Sequence, residues 1–425
     1  MATERLPGVR SVALGFWIDT GSVIERDEQA GISHLLEHML FRGTERFGSE
    51  EIDQIFDAMG AELNAGTDKE ATSVYTRVLD RHLERAFEVM GEMVWEPRFG
   101  ELEAEREVVL EEIAMYEDDP QDRVFDILSR AVFGSHPLGR PVIGSAEVVA
   151  GVTREDLGAF HAERYRPESI VIAAAGSVDH DELVRLASAS TAGSGAAGAS
   201  QARPRGAALA PAQRVRFLEK DTEQYHVCVG GLGIDRHDER RFALRVLEGV
   251  LGGNTSSRLF QEIRERRGLA YSVFSFSNLY AHSGELGVYV GTRPDNLAQA
   301  LAVLADELAR CVDDPATAEE IERSRENLKG RMALGLESTG ARMSRLGGSL
   351  LAGLPLLTIG ELIERIDAVG IEDLRALAAE LFAPERLSIV AVGPDEAAFH
   401  AAIAPLVAGG ANGAPELTVR SEAQR

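Results

Sequence analysis

An internal repeat constrains the fold of this chain more than any other feature. A shift of 211 positions places segment 33–40 over segment 244–251 and keeps the apolar stripe of both. A shift of 217 places the helix start, the turn and the apolar strand pattern of 155–176 over those of 372–393. Because 425 residues are too many for one ordinary core, the repeat predicts two copies of one α+β domain, related by internal duplication. Each copy is expected to hold a mostly antiparallel sheet flanked by helices.

The junction between the two copies has a composition of its own. From Ser190 to Pro211 the chain is dominated by Ala, Gly and Ser, which contribute little to a packed core. The stretch 190–211 is therefore predicted to be a flexible linker. The predicted domains are 1–189, which carries the candidate site residues described next, and 212–425.

The first copy contains the motif H-x-x-E-H, formed by His34, Glu37 and His38. On a helix the two histidines lie one turn apart on the same side, with Glu37 between them. Zinc binds imidazole nitrogen readily, and a catalytic zinc site leaves a nearby carboxylate free to act as a base. The motif is short, however, and an ordinary amphipathic core helix would also explain the apolar residues Leu35 and Met39.

The repeat helps to choose between these two interpretations. The second copy keeps the apolar positions but carries Arg245 and Gly249 where the first has His34 and His38. Apolar residues present in both copies are explained by packing, whereas the histidines are not required by the fold. The comparison therefore favours a metal site in the first copy.

A third metal ligand could come from the acidic segment 101–117, which predicts a helix. At helical spacing Glu105 and Glu112 share one side of this helix, while Glu111 is rotated by about 100°. The spacing selects Glu112 over Glu111 only if Glu105 belongs to the site. A charged, solvated helix surface is the alternative explanation for these residues.

Local patterns predict further elements of the first copy. Val12–Ile18 has the composition of a strand, and segment 49–59 has that of a helix with Ser49 as its N-cap. Segment 62–79 alternates like two strands joined by the polar turn 68–70.

Composition limits the possible partners and locations. The formal charge of −25 argues against binding to nucleic acid. The two cysteines, Cys228 and Cys311, are too few for a disulfide framework. No apolar run approaches the roughly 18 residues of a membrane span, and Met1–Arg5 lacks the pattern of a signal sequence. We therefore expect a cytoplasmic protein without a membrane partner.

Three motifs in combination resemble the pitrilysin and mitochondrial processing peptidase family of zinc metallopeptidases. They are the segment 34–44, the acidic segment 105–112 and the segment 267–273, which reads R-G-L-A-Y-S-V. The resemblance covers nearly the whole chain and is greatest to the bacterial, processing-peptidase-like branch. Subunits of that branch are two-domain chains of about this size.

The resemblance implies a role for each residue of the candidate metal site. His34, His38 and Glu112 match the ligands of one zinc ion per chain. Glu37 matches the general base, and Glu105 matches an auxiliary carboxylate.

The resemblance also implies residues outside the metal site. In the second copy, Arg264 and Tyr271 resemble an arginine and a tyrosine that reach the active site from a second-type domain. Without the family, a surface ion-pair partner and a core aromatic would be the preferred interpretations of these two residues. Family members bind substrate as an added strand at a sheet edge, which here matches Asn64, Ala65, Gly66 and Thr67.

These implications together predict a zinc-dependent endopeptidase that cleaves peptides or unfolded polypeptide segments in a closed chamber. Because one chain carries both the metal motif and the pair Arg264 and Tyr271, a homodimer with sites completed in trans is expected. A heterodimer is also possible. The alternative is a non-catalytic or hetero-oligomeric subunit of a processing-peptidase-like complex.

The N-terminus departs from the family pattern. Relatives usually carry another strand ahead of Val12, and Met1 falls inside or just after the place where that strand should end. The sequence therefore predicts a truncated start or one strand fewer in the first domain.

Overall fold

The computed structural model describes residues 1–190 and 209–407. Within these residues, ten strands form two five-stranded sheets. The strands of the first sheet are β1 (Ala2–Arg5), β2 (Ser11–Ile18), β3 (Leu63–Thr67), β4 (Thr72–Leu79) and β5 (Ile170–Gly176). The strands of the second sheet are β6 (Val215–Glu219), β7 (Tyr225–Gly233), β8 (Ala270–Leu279), β9 (Gly284–Thr292) and β10 (Leu387–Gly393).

Helices flank both sheets. The first half of the chain contains α1 (Ile32–Leu40), α2 (Ser49–Met59), α3 (Leu83–Trp95), α4 (Leu102–Asp118), α5 (Pro120–Phe133), α6 (Ala146–Gly151), α7 (Arg154–Arg164) and α8 (His180–Ser190). The second half contains α9 (Arg241–Leu251), α10 (Leu297–Asp313), α11 (Ala318–Gly335), α12 (Thr339–Leu351), α13 (Ile359–Asp367), α14 (Ile371–Leu381) and α15 (Glu396–Ala402). A π-helical turn spans Phe260–Glu265.

The two sheets have the same topology. Their strand orders are β1-β5-β2-β4-β3 and β6-β10-β7-β9-β8. In each sheet the first strand pairs with the last in parallel, and the other neighbours are antiparallel. The predicted fold of two homologous α+β domains is therefore confirmed.

The described residues divide into two compact units whose boundaries do not follow the chain in order. The first unit contains 1–115, 140–190 and 333–356, and the second contains 116–139, 209–332 and 357–407. Helix α12 thus belongs to the first unit, and α5 belongs to the second. The predicted domains 1–189 and 212–425 stay a prediction. Of the predicted linker, residues 191–208 lie outside the described residues.

In the first unit, helices cover both faces of the sheet. Alternate residues of β2, such as Phe16, are buried beside α3, where the ring of Phe16 lies 5.4 Å from that of Phe87. The opposite face packs against α12, since Trp17 and Met343 belong to one buried cluster. A Cβ atom at Gly347 of α12 would come within 2.2 Å of the Trp17 ring, so only glycine allows this approach.

In the second unit, α5 packs against β7 and β10. The Phe125 ring of α5 stacks on the rings of Phe274 and Tyr289, with centroids 6.3 and 5.6 Å away. A larger core of buried aliphatic side chains, including Leu247 and Leu301, fills the space around α9, α10 and α14. This unit holds the second sheet, and its helix α9 carries Arg245 and Gly249 at the positions that align with His34 and His38.

The local predictions agree with the structure in most places. The predicted strand Val12–Ile18 corresponds to β2, and the predicted helix 49–59 corresponds to α2. The prediction of Ser49 as N-cap was wrong, because Ser49 is the first helical residue and Gly48, in extended conformation, is the N-cap without a side-chain hydrogen bond. The expectation of one strand fewer at the N-terminus was wrong. The four residues of β1 retain that strand because their backbone pairs in parallel with residues 173–176 of β5.

Candidate active site

Helix α1 carries the H-x-x-E-H motif, and a buried carboxylate holds its first turn. Gly31 precedes the helix with a φ of 98°, a left-handed conformation that favours glycine. The Glu25 carboxylate accepts hydrogen bonds from the backbone N–H groups of Gly31 and Ser33, both at 2.9 Å. Burial raises the pKa of Glu25 to about 7 despite these two hydrogen bonds. The start of α1 is thereby fastened to the preceding loop.

His34 and His38 project from α1 toward Glu112 on α4. One ligand atom from each residue can be chosen so that all three lie within 4.8 Å of one another. Nε2 of His38 lies 3.4 Å from Oε2 of Glu112, and Nε2 of His34 lies 3.8 Å from the same atom. Ligand atoms about 2.1 Å from a tetrahedral metal are about 3.4 Å apart, so this set of donors fits zinc.

Glu105 holds the imidazole of His38 in place. Its Oε1 lies 2.7 Å from Nδ1 of His38, and its second oxygen forms an ion pair with Arg42. A carboxylate on Nδ1 fixes the ring orientation and leaves Nε2 free to bind a metal. Glu111 is exposed, whereas Glu105 is buried and Glu112 is half-buried. The direction of the α4 side chains thus agrees with Glu112 as the third ligand.

The two imidazoles have opposite pKa shifts. Burial, together with the proximity of His38, lowers the pKa of His34 to about 4, so that its ring is neutral at physiological pH. Burial would also lower the pKa of His38, but the surrounding carboxylates, Glu105 foremost, raise it and prevail. Neutral imidazole is the form that binds metals.

Glu37 is buried near His38 and Glu112. Burial raises the pKa of its carboxyl group, and the hydrogen bond from Thr67 only partly opposes that shift. The hydroxyl of Thr67 donates to Oε2 of Glu37 at 2.5 Å. A carboxyl group with a raised pKa that lies next to a metal site is suited to accept and return a proton.

The predicted substrate strand coincides with β3, which pairs with β4 and has no second neighbour among the described strands. Asn64 and Gly66 are exposed on one face, while Ala65 and Thr67 are half-buried on the face toward α1. A cavity of about 360 Å³ lies against the exposed face, and its lining includes Glu62, Asn64, Tyr75, Arg77 and Met343.

The second unit brings Arg264 and Tyr271 together. The Arg264 guanidinium lies over the Tyr271 ring at 4.4 Å and donates from Nη1 to the Tyr271 carbonyl oxygen at 3.2 Å. On its other side it lies 4.7 Å from the centre of the Phe260 ring. The Tyr271 side chain is 77% exposed and is therefore not a core aromatic. Arg264 also approaches Glu265, at 3.5 Å.

Two residues that shape the site were missed by the sequence analysis. Arg42 follows His38 by four residues, a helical spacing that could have suggested a position on the same side. Glu25 lies in an irregular loop, and nothing in its sequence surroundings marks it. For Thr67 the family resemblance implied a substrate contact, and its hydrogen bond to Glu37 was not predicted.

Family models match most of the chain. The model described as "Insulinase (Peptidase family M16)" matches residues 1–146, and the model described as "Peptidase M16 inactive domain" matches residues 151–328. No helix in the part of the chain that the structure describes combines the length and apolar character needed to cross a membrane. The cytoplasmic location stays a prediction.

Relatives and solved structures match over nearly their full length. An uncharacterized zinc protease of Streptomyces coelicolor is 42% identical over 405 residues, which is 93% of this chain and 87% of that protein. The uncharacterized zinc protease YmxG of Bacillus subtilis is 41% identical over 384 residues, or 89% of this chain and 92% of its own. The fold resembles a protease from Helicobacter pylori with a TM-score of 0.87 and 22% identity, covering 92% of this chain and 96% of the other.

Proposed function

This chain belongs to peptidase family M16, and we propose that it is a zinc-dependent endopeptidase acting on peptides or unfolded polypeptide segments. The observation that carries the proposal is the convergence of His34, His38 and Glu112 within 4.8 Å, with the buried Glu37 beside them. Relatives at 41–42% identity that are named zinc proteases support the same activity.

Three residues of the site would bind the metal, and a fourth would transfer a proton. His34, His38 and Glu112 would hold one zinc ion per chain. When bound, zinc supplies Lewis acidity, which lowers the pKa of a water ligand to about 7 and polarises a carbonyl group. Glu37 accepts the proton of the attacking water at its Oε1, since Oε2 is engaged by Thr67. The same carboxyl group then returns the proton to the leaving amine.

The substrate binds as an extended strand along β3. The edge of β3 that no described strand covers runs along Asn64, Ala65, Gly66 and Thr67, and alternate residues of this segment present backbone donors and acceptors to it. Side chains of an added strand alternate between two faces. One set faces α1 and the metal ligands, and the other faces the cavity that Tyr75 and Arg77 line. Because backbone pairing needs extended chain, folded proteins are poor substrates.

Arg264 and Tyr271 act in trans. In the proposed homodimer, two chains enclose a chamber, and the pair from one chain stabilises the oxyanion that forms at the metal site of the other. The exposure of the Tyr271 ring and its stacking with Arg264 support an outward-facing functional pair. A heterodimer with a different partner remains the second form of this proposal.

The decisive experiment compares purified wild type with Glu37→Gln. Both proteins are assayed for bound zinc, for hydrolysis of a broad set of peptides, and for loss of hydrolysis with a chelator. We expect wild type to cleave and the variant to keep its zinc but lose at least about 100-fold in kcat, since it lacks the base.

The control is Glu111→Gln, an exposed residue on α4. This variant should retain both zinc and activity. If wild type and Glu37→Gln both bind zinc stoichiometrically and neither cleaves any peptide, the endopeptidase proposal is wrong for this chain alone. The alternative of a non-catalytic or hetero-oligomeric subunit would then be preferred.

A further inference from the structure

Thr67 connects the substrate strand to the candidate base. It is the last residue of β3, and its side chain lies on the face toward α1. Its hydroxyl donates to Oε2 of Glu37 at 2.5 Å. The same residue therefore supplies backbone to the edge that would bind substrate and a side chain to the group that would move the proton.

The carboxylate determines the direction of this hydrogen bond, because an ionised carboxylate can only accept, and a second threonine lies beside the donor. Oγ1 of Thr67 lies 3.3 Å from Oγ1 of Thr72, and the Thr72 hydroxyl donates to the Thr20 carbonyl oxygen at 2.9 Å. A hydroxyl group has one proton to donate. Because the Thr72 proton is used on Thr20 and the Thr67 proton on Glu37, the two hydroxyl groups donate to different acceptors and no hydrogen bond joins them.

Burial keeps water away from both hydrogen bonds. Thr20 and Thr72 are both inaccessible to solvent, and Glu37 is 9% exposed. Water therefore does not compete for the Thr72 proton, and an unpaired buried hydroxyl would be costly. The Thr67 hydroxyl therefore holds one oxygen of the Glu37 carboxylate in a contact that is shielded from solvent.

We propose that Thr67 is a positioning residue for Glu37. This inference rests on the proposed function of Glu37 as the base. By holding Oε2, Thr67 turns Oε1 to the side where a water molecule is activated. Misplacing a catalytic group by about 1 Å can cost on the order of 100-fold in rate, which bounds the size of the effect.

The test replaces the hydroxyl of Thr67 without changing its shape. In Thr67→Val we expect kcat to fall about 10- to 100-fold, while KM and zinc affinity stay within about twofold of wild type. Thr67→Ser, which keeps the donor, should restore kcat to within about threefold. Thr67→Ala is measured alongside, so that a folding defect of the valine variant does not decide the outcome. Zinc affinity is measured by competition with a chromophoric chelator, independently of activity.

Ser324→Ala is the control. Ser324 lies on α11, is 2% exposed, and its hydroxyl donates to the Val246 carbonyl oxygen at 2.9 Å. The variant thus loses a comparable buried hydrogen bond, but one that involves neither Glu37 nor the proposed substrate strand and cavity. This variant is expected to lower thermal stability without lowering kcat.

A double-variant cycle separates this inference from the proposed function. If Thr67 acts through Glu37, the double variant Thr67→Val with Glu37→Gln should have a kcat within about threefold of that of Glu37→Gln alone. The inference is overturned if Thr67→Val is as active as wild type, if the serine variant is no more active than valine, or if zinc affinity falls together with kcat. In each of these cases the loss of activity in Glu37→Gln alone still supports the endopeptidase.

Discussion

Removing the charge of Glu105 should weaken zinc binding without removing a ligand. Glu105 is 3% exposed, contacts Nδ1 of His38 at 2.7 Å, and forms an ion pair with Arg42. In Glu105→Gln, the amide oxygen can still accept from the imidazole, but the negative charge is lost and the Arg42 guanidinium loses its partner. The His38 ring is then held less firmly in the orientation that presents Nε2.

The magnitude follows from what such outer carboxylates contribute elsewhere. Loss of a carboxylate that orients a metal-bound histidine typically costs about 10- to 100-fold in metal affinity, or about 1.4–2.7 kcal/mol. Because ligand binding stabilises the folded state according to its dissociation constant, the stabilisation of Glu105→Gln by saturating zinc should shrink by the same amount. Zinc affinity is measured by chelator competition, and stabilisation by thermal unfolding with and without zinc.

Glu111→Gln removes the same charge from an exposed position of α4. It is expected to bind zinc within about twofold of wild type, because the effect of an exposed charge is screened by solvent. If Glu105→Gln binds zinc as tightly as wild type, Glu105 does not hold His38 for the metal. Equal losses in both variants would mean that overall charge, and not the contact with His38, governs affinity.

Two further predictions concern pH and assembly. Burial raises the pKa of Glu25 from 4.5 to about 7. Between these pH values the folded state binds more protons than the unfolded state. Glu25 therefore lowers the free energy of unfolding by up to about 3 kcal/mol as the pH rises. Metal-free wild type should thus lose more stability than Glu25→Gln between pH 4.5 and 7.5 in urea unfolding, and equal slopes would contradict this. For assembly, mixing Glu37→Gln with Tyr271→Phe should recover about one quarter of wild-type activity, because half of randomly formed dimers would contain one intact site. No recovery after subunit exchange, verified by size-exclusion chromatography of tagged chains, would argue against a site completed in trans.

The sequence by itself determined the duplicated fold and the core of the candidate site. Repeats and helical periodicity are local properties, so the alignment of 33–40 with 244–251 was enough to predict two related sheets. Spacing on a single helix likewise placed His34 and His38 on one side of α1. The choice of Glu112 over Glu111 needed the direction of Glu105, which the resemblance supplied and the geometry agrees with.

Only the tertiary structure decided which distant parts of the chain come together. Helix α12 packs on the first sheet because Gly347 leaves room for the Trp17 ring, a fit between residues 330 positions apart (347 − 17). The Glu25 carboxylate becomes the cap of α1, and the Thr67 hydroxyl becomes the partner of Glu37, only when a loop and a strand edge reach the helix. Each of these contacts joins side chains from elements that are distant in the sequence. Whether two such side chains point toward each other depends on how the elements pack, which a local sequence pattern does not encode.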